Sequence, residues 1–162
     1  MNLANAPSLA GFAENLAAET EALRQFLKIL QSEQEALTQG NIDKLSDISR
    51  LKSEQGVRLS QLSSNHILKR LGLEPTPEGI RQLIQQEDPD GKRGLADHWD
   101  KLLELAKQAR DLNRLNVAMI EAQLKHNQQA LAILQEAAKQ TSLYGQDGHS
   151  KMLGTGRKLG KF

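Results

Sequence analysis

LADHWDKLLELAKQARDLNRLNVAMIEAQLKHNQQALAILQEAAKQ, residues 95–140, is the stretch on which the fold turns. It is dominated by Leu, Ala, Glu, Gln and Lys, all good helix formers. At 1.5 Å per residue a helix of about 45 residues spans roughly 68 Å. Two neighbouring apolar stripes run along it. One holds Leu102, Leu105, Ala109, Leu112, Leu115 and Met119. The other holds Trp99, Leu103, Ala106, Val117, Ile120, Leu124, Leu131 and Leu134, with Asn113, Asn116 and Asn127 set into it. A helix packed on two others needs a broad apolar face. The first half of this one fits that need. The second half extends past what two helices of about 30 residues would cover if their ends align, so it carries more apolar surface than its own fold requires.

Working back from there, residues 8–39 predict a first helix. Leu9, Phe12, Leu16, Leu23, Phe26, Leu30 and Leu37 fall on alternating three- and four-residue spacings, a ladder that also passes through Glu19 and Glu33. That period of about 3.5 marks a bundle or coiled-coil seam. Gly40 suits the residue after a helix and Asn41 suits the cap before the next. A turn this short predicts an antiparallel second helix over 42–71, with Ile42, Leu45, Ile48, Leu51, Leu59 and Leu62 facing one way. Gly56 weakens its middle, and Gly72 is expected to end it. Thr76-Pro77-Glu78 reads as a cap, a first-turn proline and an acidic start, predicting a short connector helix over 76–86 across one end of the bundle. Asp88-Pro89-Asp90-Gly91 is a turn signal. The expected fold is all-α: an antiparallel bundle of three long helices with a short connector helix over residues 1–140, then a flexible C-terminal tail.

The tail, 141–162, is Gly-rich and basic. Gly145, Gly148, Gly154, Gly156 and Gly160 fall within 18 residues, with Lys151, Arg157, Lys158 and Lys161 against the single acid Asp147. It carries +3 and leaves −2 for the rest of a chain whose net charge is +1. So weak a field points to neither nucleic acid nor membrane. Aromatic residues make up only 3% of the 162, so Leu, Ala and Ile must do the packing, as in long bundles. The chain has no cysteine, which excludes disulfides and thiol chemistry and is compatible with a reducing compartment. No apolar run approaches a membrane span, and the first basic residue is Arg24, so no secretory leader is expected and the cytoplasm is the default location.

Catalytic constellations are absent from the sequence pattern, and no enzyme, cofactor or metal site is expected. His66, His98, His126 and His149 lack the convergent spacing a metal needs. Gly154 to Lys161 imitates a phosphate loop, but its glycines are one residue too far apart and no strand precedes them. His66-Ile67-Leu68-Lys69 is a sharper alternative. A histidine phosphotransfer domain is a helical bundle with an exposed His and a Lys one turn on to stabilise the phosphoryl charge. The residue after that Lys is usually small, whereas Arg70 stands here. A generic coiled-coil adaptor is a further alternative.

The stripe from Asn113 to Leu134 admits two readings. It is a core seam whose asparagines fix register, or it is a docking face whose carboxamides meet a partner's polar groups. Three asparagines in a closed seam would each need hydrogen-bond partners.

Arg110-Asp111-Leu112-Asn113, then Asn116, Glu121 and Gln123, then Asn127-Gln128-Gln129-Ala130-Leu131, and finally Leu143-Tyr144-Gly145-Gln146-Asp147-Gly148 resemble FlgN-type flagellar export chaperones in order and spacing. The first half of the chain adds only a general likeness, and the connector adds none. The resemblance implies a cytoplasmic chaperone of the flagellar type III export system. It would hold the C-terminal segments of hook-associated proteins, prevent their aggregation and deliver them to the export gate. Client binding in the family's C-terminal helix maps here onto Asn113, Asn116, Val117, Ile120, Leu124, Asn127, Leu131 and Leu134. Tyr144 and Gly145 become the candidate contact with the gate. A homodimer that buries the spare stripe without client stays open.

Overall fold

The computed structural model describes residues 10–63, 72 and 76–147, with Ala10 and the last four of these described through their backbone alone. Four helices and no strand occur among the described residues: α1 (Ala10–Gln39), α2 (Ile42–Leu62), α3 (Pro77–Glu87) and α4 (Leu95–Asp147). The chain divides into two compact units, Met1–Met119 and Ile120–Phe162.

In the first unit, the heptad period of α1 becomes a buried row. Leu16, Leu23, Leu30 and Leu37 recur every seven residues, and all are buried, as is Phe12 one turn before Leu16. Seven residues are nearly two helical turns, so such a row keeps to one face. Each fully buried Leu contributes roughly 1.5 to 3 kcal/mol of transfer free energy. α1 ends in a Schellman motif. The Asn41 N–H donates to the Ala36 carbonyl at 2.9 Å and the Gly40 N–H to Leu37 at 3.3 Å. This closure requires a left-handed residue at 40, where Gly40 has φ of +65°. Asn41 then caps α2, its side chain accepting from the Lys44 N–H at 3.2 Å.

α2 runs back along α1. Lys52 reaches Glu33, Gln55 Nε2 donates to the Ala22 carbonyl at 3.0 Å, and Asn15 Nδ2 donates to the Leu62 carbonyl at 2.8 Å. The expected extension of this helix to Leu71 is corrected. It stops at Leu62, and Ser63 leaves the helix with ψ of 125°. Ser63-Ser64-Asn65 follows directly, a run whose side chains compete with helical hydrogen bonds. Residues 64–71, His66 among them, lie outside the described residues.

The connector forms as the Thr76-Pro77 signal predicts. Thr76 accepts from the Gly79 N–H at 3.2 Å, and Pro77 opens α3. α3 supplies Ile80 and Leu83, both nearly inaccessible, to the cluster that holds Phe12, Leu16, Leu23, Leu30, Leu95, Leu102 and Ala109. Asp88 joins α3 to α4. Its N–H closes α3 on the Ile84 carbonyl at 2.8 Å, while its carboxylate accepts from the Arg93 N–H at 3.0 Å and the Leu95 N–H at 3.1 Å. These two backbone bonds, with the Arg93 charge, hold the Asp88 carboxyl below its ordinary pKa; desolvation opposes them.

α4 begins with a second seven-residue row: Leu95, Leu102, Ala109 and Asn116 are all buried. Trp99 and Leu102 line a groove with Glu19 and Leu23, and Asn116 contacts Leu30 and Glu33, so α4 runs in the direction of α1. The expected end at Gln140 is also corrected, because the helix continues to Asp147 through the Leu-Tyr-Gly segment. A single glycine costs a helix about 1 kcal/mol, too little to end one built on strong formers. The rest of the expected tail, 148–162, lies outside the described residues.

Candidate functional site

The first unit holds three of the proposed client residues, and they stand in different surroundings. Asn116 is fully buried. Its Nδ2 donates to the Leu30 carbonyl at 2.8 Å and to Glu33 Oε2 at 2.9 Å. Glu33, only 5% exposed, accepts in addition from Lys52 Nζ at 2.9 Å. For Asn116 the core-seam reading is therefore the one the geometry supports, and its carboxamide is unavailable to a partner. The discordant Glu33 in the α1 ladder has the same explanation. A carboxylate enters the seam because a lysine and a carboxamide meet it there. The signal lay in the row Leu95, Leu102, Ala109, whose next seven-residue step is Asn116. Asn113 is half-buried, and its Oδ1 is buried without a hydrogen bond, as is Asn116 Oδ1. Val117 is exposed.

The first unit also carries an apolar feature beyond those residues. Trp99 and Leu103 form a ridge between two grooves. One, about 410 Å³, is lined by Leu23, Leu59 and Leu102; the other, about 490 Å³, by Pro77, Arg81 and Ile84.

The second unit is of another character. Every residue from Ile120 to Leu143 is exposed. Ile120, Leu124, Leu131 and Leu134 keep 41%, 56%, 55% and 66% of their surface in solvent. With Asn127 between them they are spaced four, three, four and three, which at 100° per residue places all five within about 80° of arc. The structure thus brings Ile120, Leu124, Asn127, Leu131 and Leu134 onto one exposed face. Ile133 and Leu143 are exposed as well but fall on the far side of the helix. Tyr144 and Gly145 belong to α4 by their backbone; their side chains lie outside the described residues.

Among the described residues no group of three His, Cys, Asp or Glu could hold a metal ion, and no helix is long and apolar enough to cross a membrane. What the second unit offers chemically is a row of uncommitted aliphatic surface with one carboxamide in it.

The profile of the FlgN protein family matches residues 1–151. The chain belongs to the FlgN family. The flagella synthesis protein FlgN of Yersinia enterocolitica is 32% identical over 149 residues, covering 90% of this chain and 94% of that protein. The FlgN proteins of Salmonella typhimurium and Proteus mirabilis are each 29% identical, over 139 and 151 residues; the match covers 86% and 90% of this chain and 89% and 94% of those proteins. No solved structure matches the chain. FlgN membership supports a role in flagellar assembly.

Proposed function

We propose that this chain is a cytoplasmic export chaperone of the flagellar type III system. It holds the C-terminal segments of hook-associated proteins on the face formed by Ile120, Leu124, Asn127, Leu131 and Leu134, keeps them from aggregating and delivers them to the export gate. The observation that carries the proposal is the wholly exposed aliphatic row in a chain of the FlgN family. Fully covering four such side chains would contribute at most roughly 6 to 12 kcal/mol gross. Association and ordering costs remove much of that, which leaves micromolar to nanomolar binding. Asn127 satisfies one polar group of the client within an otherwise apolar contact. Tyr144 and Gly145, next along α4, are the proposed contact with the gate.

Calorimetric titration with C-terminal fragments of the hook-associated proteins from the same cell tests this. The unaltered chain binds them, while Leu124→Asp and Leu131→Asp each weaken binding at least tenfold, a change of about 1.4 kcal/mol. Full affinity in both variants would overturn the assignment of the face.

A further inference from the structure

The ridge of Trp99 and Leu103 on the first unit is an apolar feature that the client face leaves unexplained. Trp99, the chain's one tryptophan, is half-buried and packs against the core cluster, and Leu103 keeps 49% of its surface in solvent. Both residues wall both grooves. Leu59 and Ile84, each half-buried, extend this surface on either side. A folded chain seldom leaves an aromatic ridge between two apolar grooves to water unless something sits on it.

The chain's own course supplies the occupant. α2 stops at Leu62, and Ser63 lines the first groove. α3 starts at Pro77, which lines the second. The chain therefore leaves the edge of one groove and is back at the edge of the other, with the ridge between. The 13 residues from 64 to 76 would reach about 45 Å if extended. That is far more than two grooves with a shared wall demand, so there is length enough for a compact turn seated on the ridge.

Residues 64–71 lie outside the described residues, and their sequence suits that seat. At helical spacing Ile67, Leu68 and Leu71 fall within about 100° of arc, and His66, Lys69 and Arg70 fall within about 100° on the opposite side. Gly72 follows with φ of +69°, the left-handed conformation that ends a helical turn. Charge agrees as well. Lys69 and Arg70 bring two positive charges, and the groove walls hold two carboxylates, Glu19 and Asp100, against one guanidinium, Arg81.

We infer that residues 64–71 form a helical turn seated across the ridge, with Ile67, Leu68 and Leu71 against Trp99 and Leu103 and with Lys69 and Arg70 turned to solvent. The segment between α2 and α3 is then a packed part of the first unit. The two grooves are filled from within the chain, which confines the client to the second unit. That confinement rests on the client reading; the seating itself does not.

Trp99 reports on the seat without interference, because no other tryptophan is present. In the full-length chain its fluorescence is expected to resist quenching by acrylamide at every chain concentration. In the double variant Leu68→Asp, Leu71→Asp the quenching constant should rise at least about twofold as the ring returns to water, with helical content by circular dichroism retained. The chain has no cysteine of its own, so engineered disulfides locate the segment even where that variant fails to fold. Leu103→Cys is expected to close a disulfide within one chain when combined with Ile67→Cys, Leu68→Cys or Leu71→Cys, and not with Lys69→Cys. Equal quenching in the unaltered chain and the folded double variant, or Lys69→Cys linking as readily as the apolar positions, overturns the proposal. So does a Trp99 that gains protection only when C-terminal fragments of the hook-associated proteins are added, which gives the grooves to the client. Protection that appears only as the chain is concentrated gives them to another copy and overturns it equally.

Discussion

Asn116 and Glu33 meet at 2.9 Å in a buried node that ties three helices together. The carboxamide on α4 spends one N–H on Glu33 and the other on the Leu30 carbonyl, both on α1, and the Glu33 carboxylate takes Lys52 of α2 through both its oxygens. Lys52 remains partly in solvent, so the node is a buried carboxylate reached by one snorkelling cation.

Removing the carboxamide should loosen this node without touching the exposed row. Asn116→Ala is expected to lower stability by about 2 kcal/mol, through a lost charge-assisted bond and a carbonyl left short of its donor. Where the variant is folded, client affinity should equal that of the unaltered chain. Urea unfolding and calorimetry at low temperature check both halves.

Glu33 and Asn116 should be energetically coupled. In a double-mutant cycle of Glu33→Gln and Asn116→Ala, the double variant is expected to lose less than the two singles together, with an interaction of about 0.5 to 3 kcal/mol. Strict additivity would mean that the 2.9 Å contact contributes nothing.

Acid should loosen the junction between α3 and α4. The Asp88 carboxyl accepts from the Arg93 and Leu95 N–H groups, and these hold its pKa down. A folded pKa below the unfolded one means stability that is intact above the ordinary carboxylate value, about 3.9, and is lost as pH falls through the lower folded value. Melting temperature followed from neutral pH into that range should therefore fall. Asp88→Asn, with a single acceptor oxygen, should melt lower at neutral pH and show a weaker acid dependence.

Two glycines should respond to alanine in opposite ways. Gly56 lies inside α2, and a Cβ there meets nothing within 4 Å, so Gly56→Ala should stabilise by up to about 1 kcal/mol. Gly40 faces equal space but holds φ of +65°, so Gly40→Ala should destabilise by about 1 to 2 kcal/mol. Thermal melts of the two variants should shift to either side of the parent.

Much of the fold was legible because its determinants are local. The Gly40-Asn41 turn and the Thr76-Pro77 start act through backbone geometry that adjacent residues dictate, and both form as read. The seven-residue row of α1 was equally plain. Asn116 stands by period in the same stripe as Ile120 and Leu124, but its seven-residue spacing from Ala109 also sets it in the buried row, and it is buried. Burial of that amide depends on Glu33, 83 residues away, and no local pattern announces such a pairing. The early stop of α2 and the late stop of α4 have different origins. Polar residues that compete with the backbone ended one helix sooner than Gly72 would, and a lone Gly145 failed to end the other. The exposed row was legible as a stripe from periodicity, but periodicity alone left open whether it faced a core or solvent. The exposure of Leu124, Leu131 and Leu134 is what sets that part of the stripe apart from the core.

Every side chain from Ile120 to Leu143 stands in solvent, so substitutions there are nearly silent for the bundle's stability. A client face placed there, as proposed, can diversify one residue at a time with no compensating change in the core. The same freedom makes the segment portable. Exchanging residues 120–143 for the matching stretch of another FlgN protein should re-address the chain to that protein's partners while its melting temperature stays where it was.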